Sequence, residues 1–170
     1  MSVAVRPAIR GDVAYLVELL GSEDVAPFLA AGHVFDEEAI AGAVARSERE
    51  PEAFGVLVVE ADGAPVGTAR WERVNRRSRI ASVGGFAIDP RLRGKGVGVE
   101  AARAIQQHLL HGLGFHRIQM EVYGFNERAL RHAERAGWIR EGVRRKAYRR
   151  DDEWVDGVMF GLVAEDLEPG

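Results

Sequence analysis

The apolar positions change period several times along the chain, and each change marks an element. Val13, Leu16, Val17 and Leu20 recur at helical spacing, predicting a helix over 12–20 after a short strand at 3–6. A loop holding Gly21, Pro27 and Gly32 follows, then Asp36 can cap a second helix running to 49. Glu37 and Glu38 fall in its first turn, where acids suit the positive end of the helix dipole. Residues 54–61 and 65–73 read as strands joined at Asp62-Gly63, a strong hairpin signal. A third long strand spans 79–88. From Val97 a helix runs to Leu113, with Ala101, Ala102, Ile105, Leu109 and Leu113 as its buried face and Gly114-Phe115 as its stop. Residues 117–123 form a strand, Asn126 caps a helix ending at Gly137-Trp138, and strands at 139–149 and 153–163 turn at Asp151-Asp152. The order β-α-α-β-β-β-α-β-α-β-β is α/β (α+β), with one parallel crossover at 83–122 inside a mostly antiparallel sheet.

Two local features depart from simple patterning. Gly84 and Gly85 lie inside the 79–88 strand, where interior glycines mark a bulge or a close backbone approach. Directly after that strand comes Asp89-Pro90-Arg91-Leu92-Arg93-Gly94-Lys95-Gly96-Val97-Gly98. A glycine-rich turn thus opens a helix whose first N–H groups have no internal partner. Without Cβ atoms in the way, a phosphate can approach them, and Arg93 and Lys95 add charge. The expected ligand is phosphorylated, a pyrophosphate above all. The bland alternative is a helix start whose glycines serve turn geometry only. A Walker loop would need Ser or Thr after Lys95, where Gly96 stands. Gly96-Val97-Gly98-Val99-Glu100-Ala101 also fits a dinucleotide fingerprint, with Glu121 as the ribose acid. Against it, Asp89 to Lys95 separate the strand from the first glycine, and no second set of βαβ units follows.

Composition narrows the class. The 170 residues suit one domain, 1–170, and 46% apolar with 29% charged residues is ordinary for a globular protein. No apolar run is long enough to cross a membrane, and Met1 to Arg6 lacks a signal-peptide core, so no membrane partner and a cytoplasmic location are expected. The absence of cysteine excludes disulfides, thiolate metal sites and a cysteine acyl-enzyme. A net charge of -3 gives no reason to expect nucleic acid as a partner. Arg76, Arg77 and Arg79, and the cluster Arg144 to Arg150, read as solvated strand edges or turns. His33, His108, His111, His116 and His132 form no metal-ligand pattern and read as structural or surface residues, so no metal is expected.

The spacing Arg93-x-x-Gly96-x-Gly98, preceded by Asp89-Pro90, resembles the acetyl-CoA loop of the GNAT N-acetyltransferase superfamily. A second segment, Met120 to Ala129 continuing through Glu134-Arg135-Ala136-Gly137-Trp138 and Arg140-Glu141-Gly142, is similar to the ribosomal-protein and polyamine branches. Together they cover nearly the whole chain. The resemblance implies the GNAT fold: a splayed parallel strand pair, opened by a bulge that Gly84-Gly85 would supply, flanked by four helices. It implies acetyl-CoA as co-substrate, with Phe86, Ala87 and Ile88 binding the pantetheine arm by backbone. Arg93, Gly94, Lys95, Gly96, Val97, Gly98 and Val99 would hold the pyrophosphate, and Asn126 would contact the cofactor. Glu121, five residues before that Asn, would be the general base.

The chemistry agrees. Acyl transfer to an amine needs the neutral amine, while a lysine amine has a pKa of about 10.4 and an α-amine about 7.7–8.0. A carboxylate at the acceptor can take the proton directly or through water. Two positions depart from the resemblance. The tyrosine acid that many relatives carry falls at Ala133, leaving water, Tyr123 or Tyr148 to protonate the thiolate. The histone-type base position falls at Ser82, and Glu72 is an outside alternative. Other readings are a catalytically silent CoA-binding module and a dinucleotide-binding oxidoreductase half-domain. The acceptor is an amine, with ribosomal-protein N-termini, polyamines and small amines all open. A homodimer is also left open.

Overall fold

The helices differ in whether a side chain satisfies the loose N–H groups at their start. In the computed structural model, which describes residues 1–29 and 35–169, α1 spans Val13–Leu20 and α2 spans Glu37–Arg49. The Asp36 carboxylate accepts from Ala39 N–H at 2.8 Å, as the sequence predicts. Asp12, ahead of α1, accepts from Ile9 N–H at 2.8 Å and receives Arg6 through both oxygens at 2.7 and 2.9 Å. That fork ties β1 (Val3–Pro7) to the first helix. Gly32 and His33 of the sequence reading lie outside the described residues.

β2 (Phe54–Ala61) and β3 (Ala64–Asn75) form the expected hairpin. Asp62 and Gly63 both take positive φ, 49° and 81°, which is what a two-residue turn with right-handed strand twist requires. β4 (Ile80–Ile88) follows, then α3 (Val97–Gln107), β5 (Arg117–Tyr123), α4 (Glu127–Arg135), β6 (Ile139–Arg150) and β7 (Glu153–Val163). The described strands make one sheet in the order β1-β2-β3-β4-β5-β7-β6.

Alternate residues of β2 serve opposite faces of this sheet. Val56 and Val58 pack with Leu16 and Ile40 of α1 and α2. Leu57 and Val59 join Trp71, Ile105, Leu109, Ile118 and Phe160 on the α3 and α4 side. A strand with both faces covered is apolar throughout, as 54–59 is.

The parallel pair is short. Ile80, Ala81 and Ser82 pair with Arg117, Ile118 and Gln119, and pairing then stops although both strands continue. The cause lies on the other edge of β4. Thr68 pairs with Ala87 and Arg70 with Gly84, so three steps on β4 face two on β3. Gly85 is in the left-handed region at φ 59°, as a glycine bulge demands. The bulge turns β4 away from β5 and opens a V between them.

One expectation fails locally. The helix from Val97 does not run regularly to Leu113. α3 closes at Gln107 and a wider five-residue turn follows over His108–Gly112. The extra residue rotates the register, so Leu109 and Leu110 are buried while Leu113 is 43% exposed. Gly114, φ 76°, and buried Phe115 still form the stop.

Candidate active site

The loop between β4 and α3 is built from backbone. Asp89 accepts from Arg91 N–H and pairs with its guanidinium, which holds the Asp89 carboxyl below the usual carboxylate range. This pairing folds the turn at Pro90 back before the glycines. Gly94 and Gly96 both have positive φ, 76° and 80°, and a Cβ at either would meet no atom within 4 Å. Space therefore lies in front of them. Among the described residues, no hydrogen bond is donated by the N–H groups of 94–99. These N–H groups and the helix N-terminus stand without intramolecular partners, with open space at Gly94 and Gly96 and Lys95 exposed beside them, the donor set a pyrophosphate needs. Arg93 instead reaches Asp24 carbonyl at 3.0 Å, joining the loop to the α1–α2 connection. Val97 is fully buried and anchors α3, while Gly98 and Val99 are partly exposed.

Upstream, Phe86 and Ile88 pack against the α3-side core, and Ala87 is buried. Their positions follow the bulge, on the part of β4 that has left β5, so their inner backbone edge faces the V. Asn126 stands at the start of α4, where its Oδ1 accepts from Ala129 N–H at 3.2 Å. Capping uses the oxygen and leaves the amide NH2 available to a ligand.

The second half of the site is built from side chains. Glu121 lies two residues beyond Gln119, on the same sheet face, just past the point where β4 and β5 part. One carboxylate oxygen receives the Tyr148 hydroxyl at 2.5 Å, and the other lies 3.2 Å from the Arg144 guanidinium. The hydrogen bond to Glu121, then burial, pushes the Tyr148 phenol above its ordinary pKa, so it stays protonated. Its proton is directed at Glu121. The carboxylate retains lone pairs for an incoming N–H.

Two backbone features bring these residues together. Arg144 pairs with Gly157 and Tyr148 with Val155, so four steps on β6 face only two on β7. Lys146 takes φ 49° inside this bulge, and its N–H donates to Asp156 at 2.7 Å. In a regular strand Arg144 and Tyr148 would stand about 13 Å apart. The bulge lets both reach one carboxylate. Gly157 supplies the room: a Cβ there would lie 2.5 Å from the Glu121 carboxylate and 2.7 Å from the Tyr148 ring. A small cleft of about 80 Å³ opens beside them, lined in part by Ser82, Gln119, Glu121, Arg144 and Met159.

The remaining candidates separate clearly. Glu72, the outside alternative base, is engaged by Arg46 at 3.0 Å, on the α2 side of β3. Ser82 lines the cleft but carries no acid. Ala133 is fully buried in the core. Tyr123 stacks on Phe125 with ring centroids 5.4 Å apart and meets Tyr148 edge-on at 5.8 Å. Arg150 sits over the Tyr123 ring at 4.8 Å and donates to the Pro27 and Leu29 carbonyls, strapping the last hairpin to the α1–α2 connection. The cluster 144–150, read from sequence as a solvated edge, therefore sends Arg144, Tyr148 and Arg150 into the site. No period in the sequence marks them, because a double bulge breaks the alternation. His132, read as structural or surface, stacks on Phe86 with centroids 5.2 Å apart, and its Nε2 lies 3.1 Å from where a Gly98 Cβ would stand. Among the described residues no three His, Asp or Glu side chains gather as a metal set, and no helix is long and apolar enough to cross a membrane.

Residues 3–139 match the family model described as an acetyltransferase (GNAT) domain. A probable N-acetyltransferase of Bacillus subtilis, YjcK, is 28% identical over 123 residues, covering 72% of this chain and 68% of that protein. The ribosomal protein uS5-alanine N-acetyltransferase of Escherichia coli is 30% identical over 105 residues, covering 62% of this chain but only 54% of that protein. Among solved structures, spermidine N-acetyltransferase from Vibrio cholerae in complex with CoA and spermine superposes with a TM-score of 0.81 at 20% identity, covering 96% of both chains.

Proposed function

The chain belongs to the GNAT acetyltransferase family, and from that premise we propose that it acetylates a primary amine by direct attack within a ternary complex, with Glu121 as general base. The family brings the general activity: an acetyl group moves from acetyl-CoA to an amine. The finer reading rests on one observation, the Glu121 carboxylate held by Tyr148 and Arg144 at the mouth of the V.

In this reading residues 94–99 bind the pyrophosphate, and the inner edge of Phe86, Ala87 and Ile88 guides the pantetheine arm into the V. The acceptor enters from the Glu121 side. Its nitrogen lone pair attacks the thioester carbon, the C–N bond forms, and the carbonyl electrons move to oxygen. Backbone N–H groups beside the Gly85 bulge support that oxyanion. Glu121 takes the amine proton, the C–S bond breaks, and CoA leaves as thiolate. Its pKa lies near 8.5 by analogy with cysteine, so water suffices as its acid with alanine at 133. Arg144 and Tyr148 keep the carboxylate aimed. Polyamines and protein N-terminal alanine both belong to the acceptor range that the relatives' names define.

Glu121→Gln tests this. Turnover should fall by about 10²–10⁴-fold while calorimetric acetyl-CoA affinity stays unchanged. Initial-rate plots of the wild type at fixed amine concentrations should intersect. Near-normal turnover in the variant removes Glu121 from the mechanism. Parallel lines remove direct attack.

A further inference from the structure

Among the described residues Arg70 is a cation without a partner, beside the proposed acceptor entrance. It lies on β3 in register with Val56 on one side and Gly84 on the other, two residues from Glu72. The register places Glu72, Ser82 and Gln119 in one row across β3, β4 and β5, with Arg70, Gly84 and Glu121 in the next. Arg70 and Glu121 therefore share a sheet face and stand on opposite sides of the V.

The side chain between them is missing by design of the sequence. Gly84 is exposed, and a Cβ there would meet nothing within 4 Å. Gly85 lies under the Arg70 side chain, with Cγ and Cδ at 3.6 and 3.8 Å from where its Cβ would be. Arg70 thus runs along the two bulge glycines, half-buried.

Nothing described neutralises it. Arg70 makes no hydrogen bond or ion pair with any described residue. The acids nearest to it in register on its own face are engaged elsewhere, Glu72 by Arg46 and Glu121 by Arg144 and Tyr148. Residues 30–34 contain no acid. Burial pushes the guanidinium below its ordinary pKa, the mark of a desolvated charge that lacks an opposite one. Such a group is unfavourable in the free protein and is relieved by a bound anion.

We propose that Arg70 binds a carboxylate on the acceptor, so that the substrate class is an amine bearing a carboxylate a few bonds away, such as an amino acid or short peptide. The proposal rests on the reading that the cleft beside Glu121 receives the acceptor. The amine would lie at Glu121 and the carboxylate over Gly84 and Gly85, at the guanidinium fork. A polyamine, cationic along its length, would place a positive charge against Arg70.

The test compares amino acids and dipeptides with their C-terminal amides, alongside spermidine. The wild type should favour the carboxylate form through KM, on the order of 10–100-fold, the range for one charge-assisted hydrogen-bonded pair. Arg70→Gln should remove that preference and leave amide turnover and acetyl-CoA affinity unchanged; Arg70→Lys should restore part of it. Equal use of acid and amide by the wild type, or a preference for spermidine, overturns the proposal. So does an equal loss of kcat on every acceptor in Arg70→Gln, which would assign Arg70 to the acetyl oxygen. The Glu121 assignment is read separately: a carboxylate preference that persists in an active Glu121→Gln enzyme leaves the Arg70 proposal standing and removes only the base. If no panel amine is turned over, calorimetry with the CoA complex decides. Binding of the acid but not the amide, lost in Arg70→Gln, supports the proposal; no binding overturns it.

Discussion

The two sides of the V are made of different materials. On the β4–α3 side, the candidate contacts are N–H groups of six consecutive residues, 94–99, with Gly94 and Gly96 turned into the left-handed region. On the β5–β6–β7 side, the contacts are side chains from two strands, Glu121 of β5 with Arg144 and Tyr148 of β6, gathered around Gly157 of β7. The first side needs an absence of side chains and is open before any ligand arrives. The second needs three side chains to converge, and they are already bonded to one another. A backbone site can bind a large constant group such as a pyrophosphate with little reorganisation, since helix and turn geometry fix its donors. A side-chain site can place a proton acceptor at one point, but its aim depends on distant packing.

The comparison breaks if damage on one side is felt as binding and catalysis alike. Gly96→Val is the strongest challenge. It places a branched side chain over the open N–H groups at φ 80°, where Gly96→Ala is the milder control. Losing two amide hydrogen bonds to a charged ligand costs about 1.5–3 kcal/mol each, on the order of 10²–10⁴ in acetyl-CoA affinity by calorimetry. Thermal unfolding should show a folded protein. Normal affinity in that folded variant would remove the loop from the cofactor site.

Gly157→Ala probes the other side. The added methyl meets the Glu121 carboxylate and the Tyr148 ring and must push them apart. A displacement near 1 Å costs about 10²-fold in turnover, with acetyl-CoA affinity unchanged. Matched losses of affinity and turnover would show that the two sides are not separable. Unchanged turnover would show that the Glu121–Tyr148 contact does not aim the base.

Asp12→Asn sharpens the comparison as a change to the frame alone. The Arg6 guanidinium holds the Asp12 carboxyl below the usual carboxylate range. A folded-state pKa below the unfolded one gives stability that is full above the unfolded value of about 3.9 and is lost as pH falls through the folded value. At pH 7 the variant should lose about 1.5–3 kcal/mol, the worth of hydrogen bonds to charged groups, measured by denaturant unfolding. At pH 3 the gap should narrow. Acetyl-CoA affinity should hold at pH 7. A gap that is equal at both pH values would mean the Arg6 pairing is not its source.

Legibility follows the same divide. The element order, the hairpin at Asp62-Gly63, the caps at Asp36 and Asn126 and the bulge at Gly85 all stand where the sequence predicts them. Each is a local decision, settled by φ preferences or by a side chain reaching its own backbone within three residues. The glycine loop is legible for that reason too. The end of α3 is not legible in the sequence because the choice between a regular and a wide last turn depends on packing against the sheet, which buries Leu110 and releases Leu113.

By itself, then, the sequence determined the strand and helix order, the bulge and the glycine loop ahead of α3, because these are written within a few consecutive residues. It also marked Glu121, through a motif around Asn126, without showing what Glu121 touches. Tertiary structure alone decided that Tyr148 and Arg144 converge on that carboxylate, that Gly157 must be bare, that His132 rests on Phe86, and that Arg70, across the V, pairs with no described residue. These relations join residues far apart in the chain, Glu121 with Gly157 and Phe86 with His132 among them. They depend on which strands become neighbours and on two bulges that shift register. Strand alternation can say which face a residue takes; only the assembled sheet says what lies opposite.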